Sequence, residues 1–369
     1  MPDLLPDPDP VPGLELDLTA DGVTLTVALC DVPSVSGDEQ PLADAVERAL
    51  RALPHLEVLR DGDAVVARTH LGRPERVVLA GHLDTVPIAG NLPTRLEGDT
   101  TDGVLHGRGT VDMKGGVAVQ LRIAATVPEP SRDLTFVFYD HEEVDAASNG
   151  LGRLARNHPD WIAADFAVLL EPTSALVEGG CNGTIRVEVT TRGVAAHSAR
   201  AWMGHNAIHD AGRVLARLQA HAPREVAVDG LVYRESLNAV TIHGGIANNV
   251  IPDRCVVGVN YRFAPDRSLA EAEEHLRELF EGFEVAVVDG SAGARPGLDQ
   301  PAAAAFLTAI GGEPRPKYGW TDVARFSALG VPAVNFGPGD ALLAHADDER
   351  CPAQDILRCE QALRRWLVG

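Results

Sequence analysis

The sequence predicts an α/β protein: a discontinuous domain with a mixed sheet and flanking helices, interrupted by an inserted βαββαβ two-layer domain. Three observations predict it. The runs RVVLA (76–80), LTFVFY (134–139) and FAVLL (166–170) are unbroken and apolar, as suits strands buried on both faces. Amphipathic helical patterns alternate with them. Between Thr184 and Gly290 the pattern changes to half-buried strands in the order β-α-β-β-α-β. With 369 residues the chain exceeds one compact core and suits about two domains.

Taken in order, residues 1–13 hold five prolines and read as an extended arm. This arm has neither the basic region nor the apolar stretch of a signal peptide. Ser36 to Leu53 reads as a helix: Ser36 and Glu39 form a capping box, and Leu42, Val46, Leu50 and Leu53 repeat at helical spacing. LEVLR, Asp61-Gly62 and AVVAR read as a hairpin. Residues 114–126 form the helix between the first two buried strands. In the insertion, 184–193, 236–244, 255–263 and 283–288 are strands. Its helices are 206–220, capped by Asn206, and 268–280, with a second capping box from Ser268 and Glu271. DGSAGARPG (289–297) reads as a hinge. Helices at 302–310, 321–329 and 354–368 and a strand at 331–336 complete the chain. The expected organisation is an arm at 1–13, a first domain part at 14–183, the insertion at 184–290 and a second part at 291–369.

The formal charge is −21, from 53 acidic and 32 basic side chains, which argues against nucleic acid and anionic membranes as partners. No apolar run reaches the ~18 residues of a transmembrane helix. Five widely spaced cysteines without a C-x-x-C pair predict neither a disulfide framework nor a zinc-thiolate site, and suit reduced thiols in a cytoplasmic protein. Any metal must therefore use His, Asp and Glu.

Those residue types gather where the strands end. GHLDTVP supplies His82 and Asp84, GRGTVDMKGG Asp112, DHEE Glu142 and Glu143, LLEPT Glu171, and GPGDALLAHADDE His345. Four of these segments follow an expected strand, and Asp112 precedes a helix. Ligands of α/β sheets bind outside the carboxyl ends of strands. Two imidazoles with several carboxylates suit divalent zinc, manganese or cobalt. One carboxylate can bridge two ions, and such a pair activates water and polarises a carbonyl. In extended backbone Glu142 and Glu143 point to opposite sides, so one can ligate while the other serves as general base. Asp84 can orient the His82 ring.

In order and spacing, from about residue 25 to the C-terminus, these motifs resemble the di-zinc amidohydrolase and exopeptidase family. That family includes aminoacylase, acetylornithine deacetylase and succinyl-diaminopimelate desuccinylase. RGVAAHSARAWMGHNAIH, GGIANNVIPD and NYRF resemble its lid and dimerisation domain. EPTSALVEGGCNGTIRVEV and YGWTDVARF are most similar to desuccinylases of the actinobacterial type. The resemblance implies two divalent ions, Zn2+ or Co2+, in the discontinuous domain. His82 and Glu171 would hold one ion, Glu143 and His345 the other, and Asp112 would bridge. Glu142 would be the general base and Asp84 would orient His82. His197 would reach the site of a neighbouring subunit in a homodimer and support the oxyanion. Asn248, Arg262 and Thr321 would contact a small N-acylated amino-acid substrate, Arg262 through its planar fork. His205 and His209 read as ordinary residues of the lid helix.

The implied activity is hydrolysis of N-succinyl-LL-2,6-diaminopimelate to succinate and LL-2,6-diaminopimelate, in lysine biosynthesis. A sibling activity, acetylornithine deacetylase or a dipeptidase, shares the same ligand set. A non-catalytic binding protein on the same fold is the alternative of another class, against which the complete ligand set argues. Two departures stand out. His141 precedes the glutamate pair where Asp is commonest, and YGWTD replaces a Gly-Gly-Thr-Ser-Asp run near the substrate.

Overall fold

The computed structural model describes residues 15–369, so the proline-rich 1–13 arm lies outside the described residues. The chain divides into two compact units. One runs to Val177 and takes in Asp299–Glu313 and Val331–Gly369; the other comprises Glu178–Leu298 and Pro314–Gly330. The second unit is thus wider than the 184–290 insertion read from the sequence, and it includes the YGWTD segment.

In the first unit, Asp133–Tyr139, Arg76–His82, Phe166–Leu169 and Ala333–Asn335 lie side by side in parallel. The hairpin Glu57–Asp61 and Ala64–Arg68 extends them in antiparallel fashion through Asp133–Tyr139. The sheet is therefore mixed, and its central strands are buried along nearly their whole length, which is why they read as unbroken apolar runs. Helices Gly22–Cys30, Lys114–Thr126 and Ala353–Val368 pack on one another. The first of these was not read from the sequence. Asp21 caps it, accepting from the Val23 and Thr24 amides at 3.0 and 2.9 Å. GVTLTVALC is nevertheless apolar on all sides and rich in β-branched residues, so no helical stripe announces it.

The capping box expected at Ser36 and Glu39 is not formed. The helix is Gln40–Arg51, with Pro41 in its first turn and no side-chain cap from Glu39. Ser36 instead donates its hydroxyl to Asp84 at 2.7 Å, while Glu39 accepts from the Gly37 and His141 amides. Buried acceptors and amides elsewhere in the fold outcompete the local cap.

The second unit carries a four-stranded antiparallel sheet in the order Ser236–Gly244, Arg254–Phe263, Gly183–Arg192, Glu284–Ser291. Ile185, Val187 and Val189 face helices Ala207–Ala220 and Leu269–Leu279, whose Ala211, Val214, Ala272 and Leu276 complete one core. The Asn206 cap and the Ser268–Glu271 capping box are both present. Residues 289–297, read as a hinge, lie just before the boundary of the second unit at Leu298. The strand continues to Ser291, and Ala294 exchanges backbone hydrogen bonds with Cys181 at 2.9 and 3.1 Å.

Candidate metal centre

Parallel pairing brings the strand ends to one edge. His82 is in register with Tyr139, the last residue of its neighbour, so Glu142 and Glu143 emerge beside it. Glu171 follows Phe166–Leu169 on the other side of the same strand. Two glycines let the chain close around that residue. A Cβ on Gly116, in helix Lys114–Thr126, or on Gly337, after Ala333–Asn335, would lie 2.2 Å from the Leu170 carbonyl oxygen.

The six residues expected as ligands or base lie together. His82, Asp112 and Glu171 offer ligand atoms within 4.8 Å of one another, as do His82, Glu142 and Glu143, and as do Asp112, Glu143 and His345. Asp112 belongs to both the first and the third group. Its Oδ1 is 3.1 Å from His82 Nε2 and its Oδ2 is 3.3 Å from His345 Nε2. His345 Nε2 also lies 3.0 Å from the Glu143 carboxylate. Hydrogen bonds that the Asp112 and Glu143 carboxylates accept from its ring raise the His345 pKa to about 10. Burial opposes the charge on His82, but Asp112 and Asp84 together raise its pKa well above that of free imidazole. A pocket that stabilises positive charge this strongly, built from two imidazoles and carboxylates without a thiolate, fits two divalent cations.

Asp84 touches more than His82. The shorter contact to the His82 Nδ1 comes from the Asp84 carbonyl, at 3.0 Å, against 3.4 Å for its carboxylate. The carboxylate accepts from the amides of Glu142 and Glu143, each at 3.0 Å, and from the Ser36 hydroxyl. Burial works against this charge, yet its bonds to His82, Ser36 and the Glu143 amide lower the pKa to about 2. The backbone here is not extended, because His141 has φ +57°. Both glutamates therefore reach the His82 cluster, correcting the opposite-sides argument read from strand alternation. His141 itself sits 2.8 Å from Asp140, which Arg153 also grips.

Sequence reasoning missed Ser36, Glu39, Arg108 and Glu349 as supports. Glu349 is buried and accepts from the amides of Val111 and Asp112 and from Arg108. Both residues stand inside the quoted motifs, but nothing local distinguishes them from solvated surface charge.

His197, Asn248, Arg262 and Thr321 lie in the second unit. His197 is exposed at the end of the short strand Ala196–His197, and its Nδ1 accepts from the Ala199 amide. Asn248 is exposed, Arg262 is half-buried on Arg254–Phe263, and Thr321 is buried, its carbonyl 3.7 Å from the Cys181 thiol.

This fold and this cluster define a class. Residues 78–368 match the model of peptidase family M20/M25/M40, and the chain belongs to that family. Within it, the chain is 49% identical to the succinyl-diaminopimelate desuccinylase of Corynebacterium glutamicum, over 96% of this chain and 98% of that one. It is 56% identical to a Mycobacterium tuberculosis protein whose name carries the same activity, over 96% of this chain and 100% of that one. The acetylornithine deacetylase of Myxococcus xanthus is more distant, at 31% over 78% of each chain. Among solved structures, a tripeptidase from Staphylococcus aureus shares the fold with a TM-score of 0.77 at 19% identity, over 95% of this chain and 98% of that one.

Proposed function

We propose that this protein is a metal-dependent amidohydrolase that cleaves N-succinyl-LL-2,6-diaminopimelate to succinate and LL-2,6-diaminopimelate. The observation that carries the reading is Asp112, whose two oxygens face two different imidazoles across 3.1 and 3.3 Å. The substrate rests on the names of the two most similar relatives given above.

In this reading His82 and Glu171 would hold one ion and Glu143 and His345 the other, with Asp112 shared by both groups. Zinc is the proposed ion, with cobalt as a substitute. Bound there, two divalent ions supply a lowered water pKa and a Lewis acid for the amide carbonyl. Glu142 takes a proton from the attacking water, keeps it on its carboxylate and returns it to the nitrogen of the leaving amine. Asp84 holds the Glu142 amide and the His82 ring, so base and ligand keep a fixed separation. Arg262 binds a substrate carboxylate, and Asn248 and Thr321 complete the substrate contacts. The proximity of Arg186 depresses the Arg262 pKa further after burial, and an anion between such cations relieves the repulsion.

His197 would act in a neighbouring copy's site, stabilising the oxyanion, which requires a homodimer. In support, Ser236–Gly244 is an edge strand of its sheet and exposes Val240 and Ile242. The five buried thiols and the lack of any membrane-spanning helix among the described residues support a cytoplasmic setting.

The test is a hydrolysis panel with the zinc-loaded protein, offering N-succinyl-diaminopimelate, acetylornithine and dipeptides. The succinylated substrate should give the highest kcat/KM. A preference for acetylornithine would replace the substrate while keeping the class. Stoichiometric metal without turnover of any of them would favour a binding protein.

A further inference from the structure

Resting on the metal-centre reading, we propose that Arg108 and Glu349 form a positioning clamp that sets the second cation position, the one held by Glu143 and His345. Neither residue is within the ligand clusters, and both are buried, at 3% and 1% exposure. Glu349 Oε1 accepts from the amides of Val111 and of Asp112 itself, at 2.9 and 3.2 Å. Its Oε2 accepts from Arg108 at 2.7 Å. The same Arg108 nitrogen donates to the carbonyl of Ala346, the residue after His345, and the Arg108 Nε donates to Pro87. One ion pair thus ties the loop that carries Asp112 to the loop that carries His345.

The two imidazoles depend on this tie unequally. His82 is 1% exposed, ends a central strand and is held at Nδ1 by Asp84, so packing and Asp84 keep it in place whatever Asp112 does. The His345 side chain is 53% exposed and stands on a loop residue with φ +64°. Little packs against its ring. Its place relative to Asp112 is set by the backbone beneath it, and that backbone is held by Arg108 and Glu349. Outer partners that orient metal ligands typically govern affinity by ~10–100-fold. The inference is graded: Asp112 faces both imidazoles, so loosening the clamp should weaken both positions, but the Glu143–His345 position, which also loses the support beneath His345, by much more.

The experiment is a Co2+ titration of metal-depleted full-length protein, followed by calorimetry and by visible absorption. The variants are Glu349→Gln and the double variant Arg108→Met with Glu349→Gln. The double variant leaves no buried charge unpaired and guards against simple misfolding; melting curves establish that each is folded. Wild type should take up two ions. Folded variants should bind one ion at close to wild-type affinity and the other ~10–100-fold more weakly. Two ions bound as in wild type, or equal weakening of both, would overturn the clamp. Wild type that takes up less than one ion would instead overturn the metal-centre reading on which it rests.

Discussion

The Asp84 carboxylate faces two consecutive amides, those of Glu142 and Glu143, and a serine hydroxyl. Glu142 and Glu143 owe their convergence to those bonds and to the left-handed turn at His141. Replacing Asp84 with Ala would strand two amides, at about 1–3 kcal/mol each where they are screened from water. The expected result is a lower melting temperature together with weakened uptake of metal; unchanged values of both would refute the role. Glu142 offers the cleaner chemical test. Glu142→Gln should reduce turnover by about 10²–10⁴ as the general base is lost. Metal content should survive the change, because Glu142 is not among the proposed ligands. Near-normal turnover would remove it from the mechanism.

At the scale of elements, the close approach of helix Lys114–Thr126 to the Leu170 carbonyl explains the second glycine of MKGG, Gly116, while a Cβ on the first, Gly115, would meet the Thr110 carbonyl. Gly116→Ala would push a methyl into backbone and force helix and strand apart, at about 1–3 kcal/mol or more. A destabilised protein with weaker metal uptake is expected, since Glu171 follows directly on Leu170. In the second unit, Glu235 is buried and accepts from Arg224, Tyr261 and the Ala264 amide. Burial alone would raise its pKa, but these bonds win and lower it. A depressed carboxylate contributes stability above the unfolded pKa of ~4.3, and loses it as pH falls through the folded value. Wild type should therefore melt well above Glu235→Gln at pH 7, and the gap should narrow below about pH 4. A gap independent of pH would show that charge is not what Glu235 contributes. Some elements were legible from local rules: the Asn206 cap and the Ser268–Glu271 box need only residues two or three apart. The Ser36–Glu39 box obeyed the same rule and failed, because both side chains found partners far along the chain, at Asp84 and His141.

For the whole molecule, a net charge of −21 repels an anionic substrate at long range, so the proposed reading asks for local positive charge, which Arg262 is proposed to supply. The exposed edge strand makes a testable claim about assembly. The wild type should run as a dimer by light scattering, and Ile242→Lys should shift it toward monomer with a loss of turnover, if His197 acts across the interface. A fully active monomer would refute both statements. By itself, the sequence determined the α/β class, the alternation of buried strands and helices, and the identity of His82, Asp112, Glu142, Glu143, Glu171 and His345 as one chemical set. These were legible because apolar periodicity is local and because short motifs mark each strand end. Only the tertiary structure decided how that set is held. It supplied the parallel register that aligns the strand ends, the turn at His141 that brings both glutamates inward, and the Arg108–Glu349 tie between loops over two hundred residues apart. A buried carboxylate takes whichever amides the fold brings within reach, and that choice is settled by packing rather than by spacing along the chain.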